Sequence, residues 1–369
     1  MNNKSFIVAV LRLVFFGMIA IGGINFIVDP GKIYLKKILT DYRVQEYAEK
    51  LLKSRNGLVM ADWNERAVKT ALAKNSEILD CVILGSSHIM QVSMIRNTGD
   101  IQKECKSLVN LGVSGGGLED LSIFSYLVLD NKKLPKKVFI EVAPWTFNFG
   151  KDIRWKENQN YYLRMNERMG EKVEHQDVSY LGETTKNLIN REYFSYSIRS
   201  LRKHGIKSIA APLIQDIIYP KSSFYYRDGY SESVFLSDGS LVYAKDDILQ
   251  QRGKNAFIDG KDAVYKIDSI VYNPNAVKYF EKILKIYAEN GVEVGFILTP
   301  YHPNVFKLGD TQPVRTMKEI EKVTSKLAQN HGLKVYGSFF PEKLGCKGNE
   351  FFDFMHANSE CLNKIDFSK

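Results

Sequence analysis

The sequence predicts an α/β fold with a mostly parallel sheet and helices on both of its faces. Two observations carry that expectation. Over residues 273–336 the chain alternates between helix-like and strand-like segments, and earlier two short apolar runs, Asp80–Leu84 and Leu108–Val109, are followed closely by glycine. Short apolar runs bounded by turn residues read as buried strands, and period-3.6 patterns read as amphipathic helices. Their alternation gives crossover units and hence parallel strands.

The first element is an anchor over residues 1–30. From Phe6 to Val28 the chain is almost wholly apolar, interrupted by Arg12 and Asn25. That is about the length needed to cross a bilayer core of roughly 30 Å, and Arg12 can snorkel from near one end. A cleaved signal peptide is the rival, because Lys4 supplies a charged start. However, the segment ends Asn25-Phe26-Ile27-Val28-Asp29-Pro30, with no small-x-small cleavage site, which favours an uncleaved helix. Lys32, Lys36 and Lys37 outweigh Lys4 and Arg12, so charge alone favours the opposite topology, although long domains translocate largely regardless of it.

Residues 31–76 read as a helical stalk or packing layer, with Tyr47, Leu51, Leu52, Val68 and Leu72 as its apolar positions. Residues 77–150 and 266–369 form the two parts of the α/β domain. Between them, residues 151–265 lose clear periodicity and are rich in tyrosine, lysine and arginine, as an α+β insertion or cap would be. Within it, Ser233–Leu236 and Leu241–Tyr243 flank Asp238-Gly239, a two-residue hairpin signal. Tyr161-Tyr162 and Phe224-Tyr225-Tyr226, near Arg154 and Arg227, are either core aromatics or the walls of a groove for sugar or anionic polymer. The pattern returns at Asn273-Pro274, an N-cap and first-turn proline opening a helix with Val277, Phe280, Leu284 and Tyr287 on one face. A strand over Val292–Leu298, a helix through Met317, Ile320, Val323 and Leu327 to Gly332, and a strand over Leu333–Tyr336 follow.

Composition agrees with one anchored globular protein. The 369 residues are 44% hydrophobic and 25% charged, which suits one large domain or a domain with an insertion. A formal charge of +9 favours an anionic surface, polymer or lipid headgroup. Zinc-ligand spacings and nucleic-acid reader motifs are absent, which argues against a nucleic-acid partner. No metal or other cofactor is expected. Of the four cysteines, Cys81 reads as a small buried hydrophobe in a strand. Cys346 and Cys361 flank a candidate site loop and can pair in an oxidising compartment, whereas Cys105 has no assigned role.

Two distant motifs carry the chemistry. Leu84-Gly85-Ser86-Ser87-His88 places serines at the carboxyl end of a predicted strand, where open α/β sheets present ligands and reactive groups. Serine is also a favoured helix cap, so this motif alone has two readings. Asp353-Phe354-Met355-His356 suits a structural ion pair as well as a base with its orienting carboxylate. Together they supply what a serine nucleophile needs: an imidazole to take its proton and a carboxylate to orient that imidazole. Between them, Asn110-Leu111-Gly112-Val113-Ser114-Gly115-Gly116-Gly117 is rich in glycines that let backbone N–H groups face a developing oxyanion.

In this order the three blocks resemble those of the SGNH, or GDSL-like, hydrolase superfamily. The resemblance covers roughly residues 80–150 and 270–369. It implies a flavodoxin-like three-layer fold, Ser87 as nucleophile, His356 as base, Asp353 as its orienter, and the amides of Ser87 and Gly115 as oxyanion donors. Where the family usually carries a Gly-x-Asn motif, the strand Lys137–Val142 runs into Ala143-Pro144-Trp145-Thr146-Phe147-Asn148. Trp145 thus takes the place of an oxyanion asparagine, for which Asn148 is a candidate substitute. Ser86 stands where an aspartate is common. A Gly-Ser-Ser block, an N-terminal anchor and a strand ending in Pro-Trp are similar to membrane-anchored members of cell-surface O-acylation systems, such as alginate O-acetylation and D-alanyl transfer to teichoic acid. That branch implies an extracytoplasmic domain working with a membrane-bound O-acyltransferase on a polysaccharide or polymer hydroxyl.

Five histidines complete the expectations. His302, in Thr299-Pro300-Tyr301-His302-Pro303 at a strand end, is a rival base or substrate contact alongside Trp145, Asn148 and Ser86. His88 is expected to point away into packing or solvent, and His331 to lie on the surface, as are His175 and His204.

Overall fold

A computed structural model describes residues 3–28, 35–55, 57–59, 65–75, 80–152, 154–171, 188–189, 191–205, 233–243, 266–267 and 271–368. The chain divides into two compact units, residues 1–45 with 174–222 and residues 46–173 with 223–369. The sequence placed all of 174–222 in the insertion. The aromatic group at 224–226, Arg227 and His175 lie outside the described residues.

In the first unit, helix α1 (Asn3–Val28) contains a 25-residue stretch of mean hydropathy 2.4, exposed over most of its length, with Asn25 and Val28 buried near its end. At about 1.5 Å per residue it is long enough to span a bilayer. Asn25 does not interrupt it at random: its amide donates to the carbonyl of Leu188 at 2.9 Å and accepts from the Ser197 hydroxyl at 2.9 Å. Helix α2 (Leu35–Lys53) begins in the first unit and ends in the second.

The second unit is built on a five-stranded, all-parallel sheet. Its strands are β2 (Cys81–Leu84), β3 (Leu108–Asn110), β4 (Lys137–Glu141), β7 (Glu293–Leu298) and β8 (Lys334–Gly337), in spatial order β3-β2-β4-β7-β8. The predicted α/β class and parallel sheet are therefore present. Chain growth reverses direction between β2 and β4, and ligands of open α/β sheets bind beyond the carboxyl edge at such a reversal.

Alternation along the strands sends side chains to opposite faces. On one face Phe296 packs against Phe280, 5.7 Å between ring centroids, and Phe280 against Phe147. Phe280 belongs to the helix Pro274–Glu289, whose N-cap Asn273 accepts from the amide of Asn275 as its sequence predicted. On the other face Ile83, Phe139, Ile297 and Tyr336 form one buried cluster with Leu362, Ile365 and Phe367 from the C-terminus. The helix Gln312–His331 ends at Gly332, whose φ of 64° is left-handed. It places His331 on the surface, 3.8 Å from Glu281.

Two expectations are corrected here, and of the stalk and the packing layer expected over residues 31–76 the described residues fit the packing layer. The hairpin strands β5 (Val234–Phe235) and β6 (Leu241–Val242) pair antiparallel, but Leu236 and Ser240 also bond across, leaving a three-residue turn with Gly239 in the left-handed region. It is no outlying cap: β5 adds to β1 (Leu58–Val59), and the Asp238 carbonyl accepts from the amide of Asn110 at 2.7 Å. The packing layer, in turn, contributes β1 and the helix Glu65–Asn75, whose Lys69 is wholly buried and donates to the carbonyls of Asn110 and Gly239 at 2.8 and 2.6 Å. Burial lowers the Lys69 pKa to about 8. Finally, Cys81 is buried but is not a free thiol, since it is bonded to Cys105; Cys346 and Cys361 form the second disulfide.

Candidate active site

Beyond β2 the backbone turns at Gly85. A Cβ there would stand 2.5 Å from Glu141 Cβ and 2.5 Å from its Oε2, so only glycine lets the last residue of β4 pack against this turn. Glu141 is buried and accepts from both the amide and the hydroxyl of Ser86, the latter at 2.9 Å. Ser86 is itself the N-cap of the single turn Ser87–Ile89. The bland cap reading of the Gly-Ser-Ser motif therefore belongs to Ser86, and it leaves Ser87 at the sheet edge, half-buried with its hydroxyl free of the cap.

The base comes from the other end of the chain. Residues 351–357 form a tight loop closed by the Phe351–Ala357 bridge and a bond from the Phe352 amide to the His356 carbonyl. Within it, Asp353 Oδ1 accepts from the amides of Met355 and His356, both at 2.8 Å, in an Asx-type turn. Its Oδ2 lies 2.7 Å from His356 Nδ1, and His356 Nε2 lies 2.8 Å from Ser87 Oγ. If Nδ1 carries the ring proton and donates to Asp353, Nε2 is left to accept from Ser87, as a serine nucleophile requires. Burial raises the Asp353 pKa, but the His356 hydrogen bond and charge, with the two amides, outweigh it and hold the carboxyl at about 2. At neutral pH it is therefore a carboxylate.

Flanking elements hold this loop. The amide of His302 donates to the Phe354 carbonyl at 3.0 Å, and Gln91 Nε2 donates to the Ala357 carbonyl at 2.9 Å. The Cys346–Cys361 bond encloses the whole loop.

The candidate oxyanion donors lie in two places. Ser87 N–H is at the start of its turn, and Gly115 sits in the left-handed region at φ 62°. Neither amide hydrogen-bonds to another described residue. Asn110 does not reach the site; its side chain braces the turn by donating to the carbonyls of Ile89 and Val92 and accepting from Gly112 N–H.

The four predicted lining residues take other work. Trp145 is buried, with Nε1 donating to the Gly116 carbonyl at 2.8 Å. Asn148 Nδ2 donates to the Val271 carbonyl at 3.2 Å, so both side chains donate to backbone carbonyls of other segments. Ser86 is committed to Glu141. His302 is buried, accepts from Asn304 N–H at 3.1 Å as the N-cap of Pro303–Lys307, and packs edge-on to Phe351. Burial lowers its pKa. Ser87 faces His356 instead. All four are buried, so none offers an exposed surface to a substrate.

Two contributors were not foreseen. Glu141 is one, and His88 is the other: it does not point away but lies buried with Nδ1 3.1 Å from Glu141 Oε1 and 3.2 Å from Thr299 Oγ1. Its ring meets those of His356, Trp145 and Tyr301 edge-on at 5.1, 5.4 and 5.4 Å. No local signal marks either residue: Glu141 closes the strand Lys137–Glu141 in the place an exposed strand end would take.

A scan against protein-family models finds no match to this chain, and a search of curated proteins finds none either.

Proposed function

We propose that the chain is a membrane-anchored, SGNH-like serine O-acyltransferase acting outside the cytoplasm on a cell-surface polysaccharide or polymer. One observation carries the reading: Ser87, His356 and Asp353 stand in a continuous hydrogen-bond relay at the carboxyl edge of a parallel sheet. Counted along the sheet, the strand order is 2-1-3-4-5, which supports the flavodoxin-like assignment. An N-terminal helix able to span a bilayer supports the anchor, and two disulfides support an oxidising compartment. The partner on this reading is a membrane-bound O-acyltransferase that supplies the acyl group.

In the proposed reaction Ser87 Oγ attacks an acyl carbonyl as its proton passes to His356 Nε2. Negative charge gathers on the carbonyl oxygen, opposite the Ser87 and Gly115 amides. Collapse expels the donor's leaving group, which takes the proton back and leaves an ester on Ser87. A polymer hydroxyl then repeats the sequence in reverse order.

A non-catalytic scaffold is the second reading, favoured by the engagement of Trp145 and Asn148 away from the oxyanion position, since one missing donor costs about 100- to 1,000-fold in rate. An esterase would use the same three residues with water as acceptor. Replacing Ser87 with alanine in the producing cell separates these: loss of polymer O-acylation is expected, a gain would mark an esterase, and unchanged acylation at normal protein level contradicts catalysis.

A further inference from the structure

The glycine block is gripped by charged groups that the reaction scheme above does not use. The carbonyl of Ser114 accepts from Arg154 Nη2 at 2.7 Å and from Arg66 Nη2 at 3.1 Å. The next carbonyl, of Gly115, accepts from Lys266 Nζ at 2.6 Å. On the other side of the same residue, Glu65 accepts from both the amide and the hydroxyl of Ser114, the latter at 2.8 Å. The cations are aimed by carboxylates: Arg66 Nε to Asp120 at 2.8 Å, Arg154 Nε to Asp152 at 2.9 Å, and Lys266 to Asp152 at 2.9 Å.

We propose that Arg154 and Arg66 are positioning residues of the acyl-transfer site, which fix and polarise the amide of Gly115 by holding the carbonyl of Ser114. This rests on the reading of Ser87 as an acyl-transfer nucleophile. The physics is that of one peptide unit. Ser114 C=O and Gly115 N–H belong to the same planar trans group and point in opposite directions; no peptide in the described chain is cis. Two charge-assisted bonds on the oxygen therefore set where the N–H points. They also draw electron density toward the carbonyl, which makes the N–H a stronger donor. Left-handed glycine has no side chain to lock it, so an external grip is what holds the donor in place before charge develops.

The cations come from outside the three motif blocks. Arg66 lies on the helix Glu65–Asn75, and Arg154 and Lys266 stand where the chain enters and leaves the insertion. Their charge is matched by Asp120, Asp152 and Glu65, so the cluster is a clamp and does not constitute an anion site.

Full-length protein in detergent with 4-nitrophenyl acetate tests the proposal. Arg154 is half-exposed, so Arg154→Gln should fold, and an unchanged melting temperature verifies it. We expect kcat to fall about 10-fold with KM within twofold, less than the roughly 100-fold loss on deleting a donor, because the interaction strengthens only in the transition state. Arg154→Lys should recover most of the loss, and the midpoint of the kcat–pH profile should stay put, since His356 and Asp353 are untouched. Lys266→Met should give a smaller fall of the same kind. Parent-like kcat in Arg154→Gln, beside abolished turnover in Ser87→Ala, overturns the clamp alone. A loss appearing in KM or unrescued by lysine also overturns it. Absence of Ser87-dependent turnover in the parent overturns the acyl-transfer reading and the clamp with it.

Discussion

The nucleophile and the base are held in opposite ways. Ser87 stands on a buried turn fixed by the sheet itself, through Gly85 packed on Glu141 and Ser86 bonded to the same carboxyl group. His356 stands on a loop whose own side chains are partly exposed, 16% for His356 and 35% for Asp353. That loop is shaped by an Asx turn and enclosed by a disulfide. The sheet therefore places the nucleophile, and local turn chemistry with a covalent staple places the base. Damage should differ accordingly: loss of a single polar contact at the nucleophile turn should show first in stability, and at the base first in turnover.

The largest expected effect is on the base side. Asp353→Asn should lower kcat by about 10⁴-fold, because the amide cannot orient the imidazole in the required tautomer, while the fold survives. Steady-state hydrolysis beside a melting curve measures both. The same substitution should flatten the acid limb of stability. Asp353 has a depressed native pKa, so its contribution is full above the unfolded value near 3.9 and is lost as pH falls toward about 2. Acid-unfolding curves of parent and variant should differ near pH 5 and converge below pH 2.

Opening the staple comes next. Cys346→Ser with Cys361→Ser removes a 15-residue cross-link, which should cost about 3 kcal/mol by loop entropy. Chemical denaturation reads that cost, and kcat should fall more than KM rises as the base loop loosens.

On the nucleophile side, Glu141→Gln replaces an acceptor of two Ser86 bonds with a group that is half donor. Leaving one buried partner unsatisfied should cost about 1–3 kcal/mol, read as a lower melting temperature with a smaller loss of kcat than Asp353→Asn. If Glu141→Gln were the more damaging to kcat and left stability unchanged, the contrast between the two sides would fail.

What the sequence revealed follows the same divide. Ser87, Asp353 and His356 were legible because each sits in a short motif where a strand or loop ends. The alternation over 273–336 revealed helices and strands because each buries a continuous stripe. Contacts between distant segments left no such mark. Glu141 meets Ser86 across 55 positions, and nothing local distinguishes it from an exposed strand end. Cys81 reads as a core residue because it is one, and only the fold brings Cys105 to it. Likewise the Asp238–Gly239 turn was visible, yet its seat against Asn110 and Lys69 was not, so an element that looked peripheral proved to be part of the core. His88 misled for a related reason: a histidine beside a nucleophile has no sequence signal for the buried carboxyl group it faces.

Covalent labelling is the most direct test of the central claim that Ser87 is an activated nucleophile. Full-length protein treated with a fluorophosphonate should gain one adduct, mapped by peptide mass to Ser87, absent in Ser87→Ala and strongly slowed in His356→Ala. No adduct, or an adduct elsewhere that persists in Ser87→Ala, would contradict it.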